Sequence, residues 1–94
     1  MEVTQIIQEL NKTSGIKNPV YYYLNGGCYI FAKQLQQIIG GAIYYLLLEH
    51  HFVVEINNKF YDASGNVTKK YKDCKKIAEE EFQKRIKLKK SIKH

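Results

Sequence analysis

Residues 51–65, HFVVEINNKFYDASG, decide the fold. His51–Ile56 is rich in β-branched residues and reads as a strand. Asn57-Asn58 is a hairpin signal, because asparagine tolerates the positive φ that a two-residue turn imposes. Phe60–Ala63 is the returning strand, and Ser64-Gly65-Asn66 turns the chain again. Just upstream, Ile43–Leu48 is a continuous apolar run of the kind a buried strand makes. Strands therefore cluster in the middle of the chain.

Helical patterns lie on either side. Val3, Ile6, Ile7 and Leu10 follow an i, i+3, i+4, i+7 spacing, which predicts a short amphipathic helix. Thr13–Gly15 and Asn18-Pro19 punctuate the chain after that helix. Val20–Leu24 is tyrosine-rich and reads as an extended segment or a loop. From Cys28 the period becomes helical, with Phe31, Ala32, Leu35, Ile38 and Ile39 in one stripe. Gly40-Gly41 ends that helix by supplying a left-handed residue. Asn25 is a fitting N-cap, which sets Cys28 in the first turn. From about Asp73, the residues Cys74, Ile77, Ala78, Phe82 and Ile86 predict a last helix. Strands grouped between helices give an α+β class, with helices packed on a small antiparallel sheet. Residues 1–94 form a single domain, and 84–94 is a basic end expected to fray.

The composition narrows the function classes. Ninety-four residues with 45% hydrophobic and 13% aromatic content make one modest core, not a disordered chain. No run of eighteen apolar residues occurs, so no helix spans a membrane. MEVTQIIQEL lacks a basic region followed by an apolar one, which argues against a secretory signal. Two cysteines without such a signal imply free thiols and a cytoplasmic setting. The net charge of +6 is uneven: the four cations of residues 1–68 are outnumbered by five carboxylates, whereas residues 69–94 carry eleven Lys and Arg against four carboxylates. The C-terminal part is a cationic element on a nearly neutral body.

Cys28, behind two glycines and at a helix start, is the first chemical feature. A thiol needs to ionise to act as a nucleophile, and unsatisfied N–H groups of a helix N-terminus favour the thiolate. It also needs an imidazole to share its proton and a third group to orient that imidazole. The hairpin supplies both. A two-residue Asn57-Asn58 loop pairs Ile56 with Lys59 and Val53 with Asp62, which makes His51 and Asp62 diagonal neighbours on one face. An odd-length loop would put them on opposite faces. His50 is the rival base, pointing to the other face. The oxyanion formed during acyl transfer needs donors. The backbone N–H of Cys28 and the Asn25 side chain are candidates, with Tyr22 and Tyr23 further off. Cys28, His50, His51 and Cys74 match no zinc spacing, so neither a metal nor another cofactor is expected.

The segment HFVVEINNKFYDASG resembles a stretch of the transglutaminase-like superfamily, where a histidine strand, a short turn and an aromatic strand ending in aspartate succeed one another. CYIFAKQLQQIIGG is similar to that family's nucleophile helix. The order Cys, His, Asp and the eleven-residue His51-to-Asp62 spacing agree as well. The chain departs where Val53 replaces a tryptophan and where Ala63-Ser64-Gly65 comes after the aspartate. The resemblance implies a papain- and transglutaminase-like α+β core. It assigns Cys28 as nucleophile, His51 as base and acid, and Asp62 as the orienting carboxylate. It also implies amide hydrolysis, deamidation or crosslinking of a protein or peptide substrate.

The other reading is a non-catalytic phage or mobile-element inhibitor of the anti-CRISPR type. On that reading Lys75, Lys76, Lys84, Lys87 and Lys90 of the basic helix meet an acidic protein surface or nucleic acid. Size and charge alone motivate it. A solvated basic face is its plain alternative.

Overall fold

A computed structural model describes the backbone of residues 2–92 and the side chains of residues 2–86. The chain runs α1 (Val3–Thr13), α2 (Pro19–Leu24), α3 (Cys28–Ile39), β1 (Ala42–Leu46), β2 (His51–Ile56), β3 (Lys59–Asp62), β4 (Gly65–Asn66), α4 (Thr68–Tyr71), β5 (Lys76–Ala78) and α5 (Glu79–Ile92). The fold is α+β, as expected, on a five-stranded antiparallel sheet of order β4-β3-β2-β1-β5. No helix of the described residues is long and apolar enough to cross a membrane.

The predicted hairpin forms as drawn. Asn57 and Asn58 take φ of 51° and 65°, which closes β2 on β3 in two residues. Ile56 pairs with Lys59, Glu55 with Phe60 and Val54 with Tyr61. Alternation then sorts the side chains to two faces. Phe52, Val54, Ile43 and Tyr61 meet Ile7, Tyr23, Phe31, Ala32 and Leu35 in the main core. Val53 and Leu46 face the other way, onto Val67 and Tyr71.

Four expectations are corrected. Val20–Leu24 is neither extended nor a loop. Pro19 opens α2 at a position where its missing N–H costs nothing. Tyr23 is then driven inward, packing on Phe31 at 5.0 Å between ring centroids. Asn25 does not cap α3; Gly27 does, and Asn25 ends α2. Ile38 lies 56% exposed, so Ile39 rather than Ile38 closes the α3 stripe. The last helix does not start near Asp73. It begins at Glu79, with three glutamates in the first turn, where the helix dipole favours them.

In place of that early helix stand α4 and β5. The free edge of β1 needs partners for its backbone groups. Lys76–Ala78 supplies them, and the Lys75 carbonyl accepts the Leu47 N–H at 3.0 Å. Of the end expected to fray, residues 93 and 94 and the side chains from 87 onward lie outside the described residues.

Gly40 and Gly41 carry the chain from α3 into β1. Gly40 (φ 79°) donates to the Gln36 carbonyl at 2.8 Å and stops the helix. At Gly41 (φ 85°) an added Cβ would stand 2.5 Å from the Glu55 carbonyl oxygen. Gly41→Ala is therefore expected to destabilise the fold by roughly 2–4 kcal/mol, from left-handed strain plus the clash. Gly15→Ala, also at positive φ but with nothing within 4 Å of the added atom, costs about 1 kcal/mol. Urea titration of both variants checks the difference.

Candidate active site

The three residues singled out from sequence are brought together, each at the end of its element. Cys28 is the first residue of α3, His51 the first of β2 and Asp62 the last of β3. α3 packs over the main-core face, whereas His51 and Asp62 belong to the opposite face by register. Cys28 still reaches His51 because both stand where the helix and the strand begin, beyond the point where the β2–β3 ladder stops at Val54–Tyr61.

His51 Nε2 lies 2.9 Å from Asp62 Oδ2, and both side chains are buried. The other carboxylate oxygen, Oδ1, accepts the Ser64 N–H at 2.8 Å and the Ser64 hydroxyl. Asp62 is thus fixed by a local turn on one side and by the imidazole on the other. With Nε2 committed to Asp62, Nδ1 is the ring nitrogen left over, and Cys28 and His51 stand close enough for each to shift the other's pKa. The main-chain N–H groups of Phe52 and Tyr29 also act on that sulfur in the direction of the thiolate.

These contacts set the charge of the site. Burial pushes the Cys28 thiol up, but the His51 hydrogen bond and the two N–H donors outweigh it and hold it below its ordinary value. Burial pulls His51 down, but hydrogen bonds to Asp62 and Cys28 raise it to about 9. For Asp62 burial acts upward, and the bonds from His51 and Ser64 win, leaving it lowered. The three shifts favour one state, a thiolate beside an imidazolium backed by a carboxylate.

His50 is in a different place. It sits exposed in the β1–β2 turn at φ 52°, with Nδ1 2.9 Å from the Tyr45 hydroxyl. The Asn25 amide, one oxyanion candidate from the sequence, donates to the Tyr21 carbonyl at 2.8 Å. Cys74 is a free thiol far along the chain, donating to Glu49 Oε2 at 3.1 Å, which pushes its pKa up. Among the described residues no group of three or more His, Cys, Asp or Glu is placed to hold a metal.

Of the lysines assigned to partner binding, Lys75 and Lys76 are not on the last helix. Lys76 lies in β5 with its ammonium 4.8 Å from the Phe60 ring centroid. Lys84 is exposed on α5, and the side chains of Lys87 and Lys90 fall outside the described residues.

Several contributors were not anticipated. Ser64 was legible: an aspartate two residues before a serine in a turn is a known side-chain-to-backbone motif. Tyr71, whose ring lies 5.7 Å from that of His51, had no sequence signal. Nor had the clasp behind Cys28, where Tyr29 donates to Glu79 at 2.6 Å and Lys33 pairs with the same carboxylate at 3.0 Å.

A family model described as Phage YunG-like protein matches residues 3–93. No curated protein and no solved structure matches the chain. The expected membership of the transglutaminase-like and papain-like group is thereby corrected. That expectation rested on three residue types and their spacing in under half the chain, and such constellations recur on unrelated proteins.

Proposed function

On the premise that the chain belongs to the phage YunG-like protein family, we propose that it is a thiol-dependent hydrolase or acyltransferase acting on a protein or peptide. One observation carries the reading: Cys28 beside His51, which is itself bonded to Asp62 at 2.9 Å, with charge shifts that all favour the thiolate. The Cys28 thiolate attacks an acyl carbon and forms a carbon–sulfur bond. The His51 imidazolium gives its proton to the leaving nitrogen as the carbon–nitrogen bond breaks. Water or an amine then attacks the thioester and passes a proton to His51, and the thiolate leaves. Asp62 holds the ring and stabilises its charge throughout. The Cys28 N–H, at the start of α3, is the oxyanion donor this scheme requires.

A small vinyl sulfone tests the reading by intact-mass analysis. One adduct is expected, on Cys28 and not on Cys74, lost in Cys28→Ala and slowed at least about tenfold in His51→Ala. Equal labelling of the two cysteines would sink it.

The family match itself bears more directly on a second reading, a phage-encoded inhibitor that binds a bacterial protein and performs no chemistry. Here Cys28→Ala leaves the effect on a bacterial host intact, and reversing Lys84, Lys87 and Lys90 to glutamate abolishes it. The opposite pattern returns the function to the thiol.

A further inference from the structure

Away from the catalytic residues, the sheet face behind His51 carries a basic groove. Lys59, Asn66, Val67, Thr68, Lys69 and Lys70 line a space of about 520 Å³. Lys59 stands at the β2–β3 hairpin, and Lys69 and Lys70 on α4; all three are exposed, and none has a carboxylate within ion-pair distance among the described residues. No acidic side chain lines the groove.

The platform under these lysines is fixed. Thr68 Oγ1 accepts the Phe60 N–H at 2.9 Å and donates to Asn66 Oδ1 at 2.6 Å, which ties α4 to β3. Asn66 is itself paired with Tyr61, one residue before Asp62. The groove is linked to the thiol site through one aromatic ring. The Lys70 ammonium lies 5.2 Å from the Tyr71 ring centroid, and that ring lies 5.7 Å from the His51 ring. Two ring contacts thus separate Lys70 from the imidazole.

From this juxtaposition we infer that the Lys59–Lys69–Lys70 groove seats an acidic segment of the polypeptide on which Cys28 acts. The inference rests on the thiol reading for the nature of the partner. Unpaired cations on a rigid surface select an anionic ligand by complementarity. A thiolate–imidazolium pair acts on acyl carbons, which a polypeptide supplies and a nucleic acid does not. The mixed lining, lysine ammoniums over lysine stems and Val67, also suits carboxylates on short side chains better than a continuous phosphate track.

Fluorescence anisotropy on the full chain tests it, with a labelled twenty-residue polyglutamate as probe and single- and double-stranded DNA of equal length as competitors. The Lys59→Glu/Lys69→Glu/Lys70→Glu variant is expected to bind polyglutamate at least about tenfold more weakly, with the glutamine triple variant between it and wild type. Lys84→Glu/Arg85→Glu on α5 is expected to stay within about twofold. Both triple variants keep wild-type circular dichroism and wild-type alkylation of Cys28 by iodoacetamide. That last readout separates the two ideas: an inert Cys28 with intact groove binding defeats the thiol reading alone. Loss of binding in the α5 variant but not in the triple variants overturns the groove. Binding of either DNA more tightly than polyglutamate at physiological salt, lost in the triple variants, overturns it in favour of nucleic acid.

Discussion

Cys28 is expected to react with iodoacetamide at least about tenfold faster than Cys74 near pH 6.5, although both are thiols in one small domain. The two sit under opposite influences. Around Cys28, the His51 hydrogen bond and the Phe52 and Tyr29 N–H groups outweigh burial and favour the anion. At Cys74, the Glu49 carboxylate accepts the thiol hydrogen and disfavours the anion. His51→Ala removes the largest of the lowering influences on Cys28, and its alkylation is expected to fall toward that of an ordinary thiol. Turnover of an amide should behave differently from alkylation at high pH. In the proposed reaction the leaving nitrogen needs a proton from His51, so turnover is expected to decline as pH rises through about 9, while alkylation does not. Rates measured by mass spectrometry across the pH range check both limbs. A Cys28 that slows in step with Cys74 as the pH falls would contradict the charge state derived for the site.

The second large effect is on stability. Asp62→Ala leaves a buried imidazolium without its carboxylate and is expected to cost about 3–5 kcal/mol near pH 5. The two shifts set the pH dependence. His51 rises from 6.5 to about 9 on folding, so its contribution is complete below 6.5 and is lost as pH climbs through about 9. Asp62 is lowered from 3.8, so its contribution is present above that value and is lost as pH falls through the lower, folded one. The pair therefore stabilises most between those limits, and the gap between wild type and Asp62→Ala narrows toward about pH 10. Asp62→Asn keeps the shape and a hydrogen bond, and costs less. Urea titrations at about pH 5 and about pH 10 measure the gap; an equal gap at both would rule out the charged pair as its source.

The site was readable because it obeys a local rule. A side-chain period of two and a two-residue turn place His51 and Asp62 within reach of each other, and both facts are written in VVEINNKFYD. Cys28 was readable as a helix start from the glycines before it and the apolar period after it. The missing parts have their causes elsewhere in the fold. Lys76–Ala78 has no strand signature of its own; it is a strand because β1 has a free edge there. The tyrosines of α2 look extended in composition, yet Pro19 and the pocket over Phe31 make them helical. Thr68–Tyr71 is too short to show a period at all. The family lay beyond reach for a different reason. A constellation of three side chains reports on chemistry, whereas kinship is carried by the whole chain.

The placement of β5 has a consequence for synthesis. β1 is made early, and β2, β3 and β4 are laid down on one side of it, but its other edge is covered only by residues 76–78. The carboxylate that clasps Tyr29, the neighbour of Cys28, arrives one residue after that strand ends, at Glu79. On the ribosome the hairpin with His51 and Asp62 emerges well before the sheet can be closed or Tyr29 and Lys33 can be clasped. The thiol is thus made long before its surroundings are complete, and the strand that seals the edge against other nascent chains runs directly into the residue that fastens α3 in place.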